Sequence, residues 1–265
     1  MTSNFWVPTA IGGALSLIFL AVSLRARRKQ RLLRDLPTSK ASNVFIGLVE
    51  IKGTAESAAP LTSFLARQSC VQYAYRVEEH WSRTVTTTTT DSKGNSHTTT
   101  RHESGWTTVA SGDESTAFYL QDETGYVLVR PDGADLRPDT LFDATVDRDD
   151  PLYYGKGPAM AVSNSDHRRR FVETGVLLHA PLYIVGQARE RTDLVAPEIA
   201  ASKGAELFLI STKPEERVTS GFAATSWVCW SLGLLCAVGG GLLGLHQIAA
   251  PPPRLISGGL AATGL

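Results

Sequence analysis

Residues 5–24, FWVPTAIGGALSLIFLAVSL, contain no charged side chain, and RARRKQRLLR follows at once at 25–34. At about 1.5 Å of rise per helical residue, an uncharged run of this length covers the roughly 30 Å hydrocarbon core of a bilayer. A second uncharged run, GFAATSWVCWSLGLLCAVGGGLLGL, occupies 221–245. Two transmembrane α-helices are therefore expected, and the chain between them is tied to one membrane surface at both ends. A cleaved secretory signal is the competing reading of the first run, because Ala21-Val22-Ser23 resembles a small-residue cleavage site. Residues 1–4 carry no basic side chain, however, and the positive charge follows the apolar run instead of preceding it, which favours an uncleaved anchor.

The basic cluster also sets an orientation. Lysine and arginine close to a span end are retained on the cytoplasmic side, so Arg25, Arg27, Arg28, Lys29, Arg31 and Arg34 put the intervening domain in the cytoplasm of a two-span cell-membrane protein, with both termini outside. Lys213 and Arg217 before the second run agree, and only Arg254 follows it. The same six residues are expected at the membrane surface, where each attracts anionic headgroups by about 1 kcal/mol. A topology signal with no further role is the alternative.

Charge is balanced overall, at 26 basic and 26 acidic residues. With the basic segment and linker set at 25–42 and a short tail at 246–265, residues 43–217 remain for one soluble domain, enough to bury a core. Of three cysteines, Cys229 and Cys236 lie in the second apolar run and leave Cys70 alone, so no disulfide framework is encoded.

The domain reads as mainly β. Residues 44–52 are rich in β-branched side chains, and at 71–81 Tyr73, Tyr75, Val77 and Trp81 alternate with Gln72, Arg76, Glu78 and His80, as a half-buried strand requires. The run TVTTTTT at 84–90, the turn-forming DSKGNS at 91–96 and TTT at 98–100 predict a Thr-rich β-ribbon over 82–106; a low-complexity loop is the alternative. A turn is expected at 111–114, a hairpin at 118–130 around Asp122-Glu123-Thr124-Gly125, and a short helical turn at 64–70. Residues 134–166, with many aspartates, are expected to be loop-like, and strands resume at 171–178, 182–189 and 207–211. The expected class is a barrel- or sandwich-like β domain with a projecting ribbon, between two membrane helices.

An ordered set of segments now becomes informative: GLVEIKG at 47–53, PLTS at 60–63, CVQYAYRVEEHW at 70–81, residues 106–112, FYLQDETGYVLVR at 118–130, Glu173-Thr174, LYIVG at 182–186 and FLISTKPEE at 208–216. Together they resemble the "beside a membrane" (BAM) domain of the GIDE/MAPL family of membrane-anchored E3 ubiquitin ligases, whose plan includes both flanking spans. The resemblance implies ubiquitin transfer through a zinc-binding RING after the second span. A RING needs about eight cysteine and histidine ligands around two tetrahedral zinc ions. Residues 246–265 offer one histidine, no cysteine and a proline run at 251–253, so the chain is expected to resemble RING-less prokaryotic members.

No catalytic, cofactor or metal residues are assigned. Cys70 and His80 stand ten positions apart along one strand, about 30 Å if extended, too far for a nucleophile and its base. His97, His102 and Glu103 are ordinary polar residues of a ribbon, and Ser165-Asp166-His167 holds triad residue types in an adjacency that does not make a triad. Arg168-Arg169-Arg170 reads as a solvated edge, with no nucleic-acid partner. Cys229, Gly233, Ala237 and Gly241 recur every four residues and form a smooth helix face suited to packing within the chain or in a homo-oligomer; glycine being common in membrane helices is the plainer reading. The expected function is a membrane-anchored binding or sensing module whose partners are the lipid bilayer and a protein at the cytoplasmic face. The alternative is ubiquitin-ligase-like transfer using a RING from another chain.

Overall fold

The computed structural model of the chain describes residues 6–91, 94–191, 193–202 and 207–249. Phe5, the ribbon-tip pair Ser92-Lys93 and the expected tail beyond 249 lie outside these residues. In chain order the elements are α1 (Trp6–Asp35), β1 (Thr38–Ser39), β2 (Gly47–Glu56), β3 (Leu61–Thr62), β4 (Ser69–Thr90), β5 (Ser96–Ser115), β6 (Phe118–Gln121), β7 (Tyr126–Val129), β8 (Asp135–Arg137) and β9 (Asp139–Asp147). They continue with α2 (Pro151–Gly155), β10 (Ser165–Leu177), β11 (Pro181–Glu190), β12 (Pro197–Ala200), β13 (Leu209–Ser211) and α3 (Glu215–Ala249). The chain divides into a helical unit built from α1 and α3 and a β unit over Asp35–Val218.

The β unit begins with a closed barrel. β2 pairs with β6 and with β11, β6 with β7, β7 with β12 in parallel, and β12 with β11, which completes a ring of five strands. Val49, Ile51, Ala55, Phe118, Leu120, Val127, Val129, Ile184 and Ile199 fill it, as alternate residues of each strand point inward. β2 serves two neighbours, β11 along residues 47–54 and β6 along 54–56, and at Gly53 a Cβ would overlap the Gln121 carbonyl, so only glycine fits there. β13 extends the barrel sheet beyond β11 and carries β8 at its edge, while β1 lies beside β2. On β2, Glu50 is almost fully buried yet accepts from Thr38 Oγ1 at 2.7 Å and from the Tyr183 hydroxyl at 2.9 Å.

A second sheet runs β5-β4-β10-β9, with β3 against the start of β4. It packs Val77 and Phe171 under the 63–68 loop and α2, with Leu65, Phe142, Val146 and Leu152 around them. Glu173 fastens that loop by accepting from the Leu65 and Ala66 amides at 3.0 and 2.7 Å. Beyond Trp81, β4 leaves β10 and continues with β5 alone as a two-stranded ribbon, in register from Ser82↔Ser104 to Thr90↔Ser96. Thr88 faces Thr98 across the strands at 3.3 Å. Two aromatic rings cover glycines directly opposite them, Tyr75 over Gly112 and Trp81 over Gly105. Such pairs restore the cross-strand contact a glycine lacks.

Three local expectations are corrected. Residues 111–114 do not turn the chain: they remain in β5, held by the Tyr75–Gly112 and Ala74↔Asp113 pairings. Within 134–166 the structure places β8, β9 and the single-turn α2, and the aspartates of β9 are its outward residues. No helix forms over 64–70; residues 64–66 are a turn and β4 starts at Ser69.

In the helical unit, α1 continues without interruption through the basic cluster to Asp35. Thr9–Asp35 and Ala223–Leu243 are long and apolar enough to cross a membrane. Leu17, Ile18, Leu235 and Leu242 are each about three-fifths exposed or more on these helices, an apolar surface that water alone covers badly. The helices meet through small and hydroxyl side chains. Ser23 Oγ lies 3.1 Å from both Oγ and the carbonyl oxygen of Ser226, and Arg27 Nε donates to Ser226 Oγ at 2.9 Å.

Candidate functional site at the foot of the ribbon

Where the ribbon leaves the sheet, β10 carries an irregularity. Ser165 pairs with Trp81 and Arg169 with Glu79, so Asp166, His167 and Arg168 stand against the single residue His80. Asn164 and His167 take positive φ, 58° and 61°, in the left-handed region that asparagine and histidine enter more readily than bulkier residues. The bulge re-aims its side chains. Asp166 Oδ2 meets His80 Nδ1 at 2.5 Å, and the Arg168 guanidinium lies 6.0 Å from the centre of the Trp106 ring. His80 and Trp106 are cross-strand partners with their rings 4.8 Å apart, edge to face. Trp106 remains 42% exposed. Trp106 is thus flanked by a cation and by a histidine–aspartate pair, on neighbouring strands of one sheet.

Beneath this surface is a buried ion pair. Arg169 and Glu79 are both fully buried. Arg169 Nε and one terminal nitrogen donate to Glu79 Oε2 at 3.1 and 3.0 Å. The terminal nitrogens also reach the carbonyls of Tyr153 (2.7 Å), Pro158 (2.8 Å) and Met160 (3.2 Å). Glu79 Oε1 accepts from the Tyr153 hydroxyl at 2.7 Å and Ser165 Oγ at 2.5 Å, and the guanidinium lies 3.9 Å over the Tyr153 ring. Burial alone would raise the Glu79 carboxyl, but hydrogen bonds from Ser165, Tyr153 and Arg169 and the Arg169 charge outweigh it and hold the carboxyl below its ordinary value. Tyr153 moves the other way, pushed up by burial and by donating to Glu79. Asp150 starts α2 by accepting from the Leu152 amide at 2.8 Å, which places Tyr153 over the pair.

The sequence reading missed both buried partners. Arg168 and Arg170 are about half exposed, as an edge requires, but the strand's alternation turns Arg169 inward, and Glu79 falls on the same face as Val77. That shared parity was the available signal. The adjacent Ser165, Asp166 and His167 face different partners: Ser165 Oγ donates to Glu79, Asp166 pairs with His80, and His167 Nδ1 lies 3.4 Å from the Tyr153 hydroxyl. In the ribbon, Glu103 is taken by Arg83 and Arg101, and His102 faces Thr84. Cys70 is buried with Sγ toward the Leu61 carbonyl; burial, with the charges of Glu173 and Glu114, pushes its thiol up to about 11.

The sequence model of the GIDE family, described as E3 Ubiquitin ligase, matches residues 86–244, more than half of the chain. This chain belongs to the GIDE family. Neither a curated protein nor a solved structure matches it. The GIDE match starts inside β4 and takes in the bulge, α2, the buried Arg169 and α3 up to its last turns.

The other assigned residues lie in the helical unit. Arg27, Arg31 and Arg34 share one hollow with residues of α3, whereas Arg25, Arg28 and Lys29 stand outside it. On α3, Gly233 faces Ser16 and Phe19, and a Cβ on Gly12 of α1 would come within 2.7 Å of the Cys236 carbonyl and 3.0 Å of the Gly240 Cα. Ala237 lines a small cavity with Gly233, Ser16 and Leu20. Gly241 has open space where its Cβ would be, and Cys229 is half-buried.

Proposed function

We propose that this GIDE-family chain is a membrane-anchored binding module. In this reading α1 and α3 cross the cell membrane, the β unit lies on the cytoplasmic face with both termini outside, and the foot of the ribbon engages a protein partner. The observation that carries it is the exposed Trp106 held between His80 and Arg168 above a buried, fully hydrogen-bonded Arg169–Glu79 pair. A surface residue placed this rigidly loses little conformational entropy on binding. The basic residues at the end of the first apolar run support the cytoplasmic side.

The family description favours a second reading, participation in ubiquitin transfer. Among the described residues no group of three or more histidine, cysteine, aspartate and glutamate side chains is placed to hold a metal ion, so a RING-dependent step in this reading uses ligands from elsewhere. Two experiments decide. A photo-crosslinking amino acid at position 106 of the full chain in cells is expected to give a discrete adduct that Arg168→Glu abolishes and that position 126, an exposed tyrosine on the barrel, does not give. Equal adducts at both positions would remove the ribbon foot as the contact. Reconstituted in vesicles with ubiquitin, its activating enzyme and a conjugating enzyme, the chain alone is expected to yield no conjugates; zinc-independent conjugation would replace the binding reading with the second.

A further inference from the structure

One hollow in the helical unit has no role in the reading above. It has a volume of about 430 Å³ and is lined by Arg27, Gln30, Arg31 and Arg34 of α1 and by Ser226 and Trp227 of α3, among seven residues of which none is acidic. The α1 positions follow the spacing i, i+3, i+4, i+7, so they share one helix face. Ser226 Oγ is held by Arg27 Nε at 2.9 Å and lies 3.1 Å from Ser23 Oγ, which fixes Arg27 in the wall. Among the described residues no carboxylate pairs with Arg31 or Arg34. Two exposed arginines without a carboxylate partner, beside a third, line a space the size of a small-molecule site and present it with positive charge suited to an anion.

Depth along the helix identifies its source. The uncharged run ends at Leu24, so Arg27 to Arg34 lie about 5 to 15 Å further along α1 at 1.5 Å per residue. The headgroup layer adds roughly 5 to 8 Å on each side of the hydrocarbon, so the Arg27 backbone lies within it and the Arg31 and Arg34 backbones lie just beyond its outer edge. Helical side chains lean toward the N-terminus, and this brings the Arg31 and Arg34 guanidiniums back toward the bilayer. On the facing helix, Ala223–Leu243 begins its apolar stretch at the same end. Trp227 and Trp230 meet edge to face at 6.0 Å there, the placement expected of an interfacial aromatic belt. We infer that the α1–α3 hollow is a binding site for the phosphate headgroup of an anionic phospholipid, with Arg31 and Arg34 as the phosphate ligands and Trp227 against the glycerol region. Guanidinium forks suit phosphate oxygens better than the point charge of lysine, and the hollow is lined by arginines while Lys29 stands outside it.

The inference rests on the membrane anchoring in the proposed function and is independent of the ribbon foot. Its test uses the full chain in nanodiscs, with spin-labelled phosphatidylglycerol and phosphatidylcholine competing for the protein-associated fraction. The wild type is expected to prefer phosphatidylglycerol about tenfold or more. Arg31→Gln with Arg34→Gln is expected to reduce this below about twofold, whereas Arg25→Gln with Arg28→Gln, which removes the same charge outside the hollow, retains at least half of it. Equal loss in the two pairs would reduce the site to diffuse attraction by a basic surface and overturn it, as would a wild type without preference. Inorganic phosphate at 10 mM and constant ionic strength is expected to leave the preference intact; displacement would assign the hollow to a free anion instead of a lipid. A wild type without lipid preference but with the position-106 adduct intact removes the headgroup site alone, and absence of any associated lipid removes the membrane anchoring itself.

Discussion

Replacing Arg169 by methionine removes the cation while keeping most of its apolar stem. Five hydrogen bonds go with it: two to Glu79 and one each to the carbonyls of Tyr153, Pro158 and Met160. Glu79 is left fully buried with its Tyr153 and Ser165 donors but no counter-charge. Removing one partner of a buried pair costs about 3–5 kcal/mol, because the remaining charge stays desolvated. For a unit of this size that corresponds to a fall in Tm of about 10 °C, at roughly 2–4 °C per kcal/mol. The assay is thermal unfolding of the detergent-solubilised full chain followed by near-ultraviolet dichroism. Adding Glu79→Leu should recover part of the loss, with a coupling above about 1 kcal/mol, since no buried charge is then stranded. The deficit should also depend on pH. In Arg169→Met, the Glu79 carboxyl loses the Arg169 hydrogen bonds and charge that help hold it down and rises from its wild-type value, so the penalty is full near pH 7 and shrinks as falling pH protonates it. A loss under 1 kcal/mol, or strict additivity with Glu79→Leu, would refute the reading of Arg169 and Glu79 as a coupled buried ion pair.

In the wild type, Glu79, Asp122 and Glu198 are all held below their ordinary values, burial being outweighed by donors from Ser165 and Arg169, from Thr124 and the Ala41 amide, and from Arg130 and Arg189. Depressed folded values give stability that is present above the unfolded carboxylate range and lost as pH falls through the folded values, so urea midpoints should be flat from pH 8 to about 5 and fall steeply below about 4. Cys70, with its thiol at about 11, is thiolate in roughly one molecule in three thousand at pH 7.5, and maleimide should label it only after unfolding; rapid native labelling would contradict its burial. Gly233→Leu should spread α1 from α3 and lower the Tm of the helical unit, while Gly241→Leu, whose Cβ position is open, should not; a membrane-reporter signal that falls for Gly241→Leu alone would mean that this face meets a second copy.

Much of this architecture is legible because its signals are local. The period of two at 71–81, the threonine run and the turn chemistry of 91–96 name a ribbon before any fold is known, and the two uncharged runs name the helices. Barrel closure is not legible, since the parallel pairing of Leu128 with Glu198 joins segments seventy residues apart whose contact depends on every strand between them. β9 is obscured by its outward aspartates, and Ser111–Glu114 by turn-forming residues that the Tyr75 ring keeps extended. Within the site, Trp106 and His80 are visible as strand residues, but Glu79 and Arg169 are not, because charge is read as solvent exposure until a partner of opposite sign is known to share the interior. The bulge at 166–168 is equally hidden, as its positive φ values are carried by asparagine and histidine and by no glycine.

The proposed anchoring holds the β unit at a membrane by a helix at each end. Single cysteines placed before α1, in the ribbon and after α3, in a background with Cys229 and Cys236 replaced, can be labelled with an impermeant maleimide in sealed inside-out and right-side-out vesicles. The ribbon position should label only in inside-out vesicles and both terminal positions only in right-side-out ones. Termini on opposite sides, or recovery of the intact chain in the soluble fraction without detergent, would contradict the account.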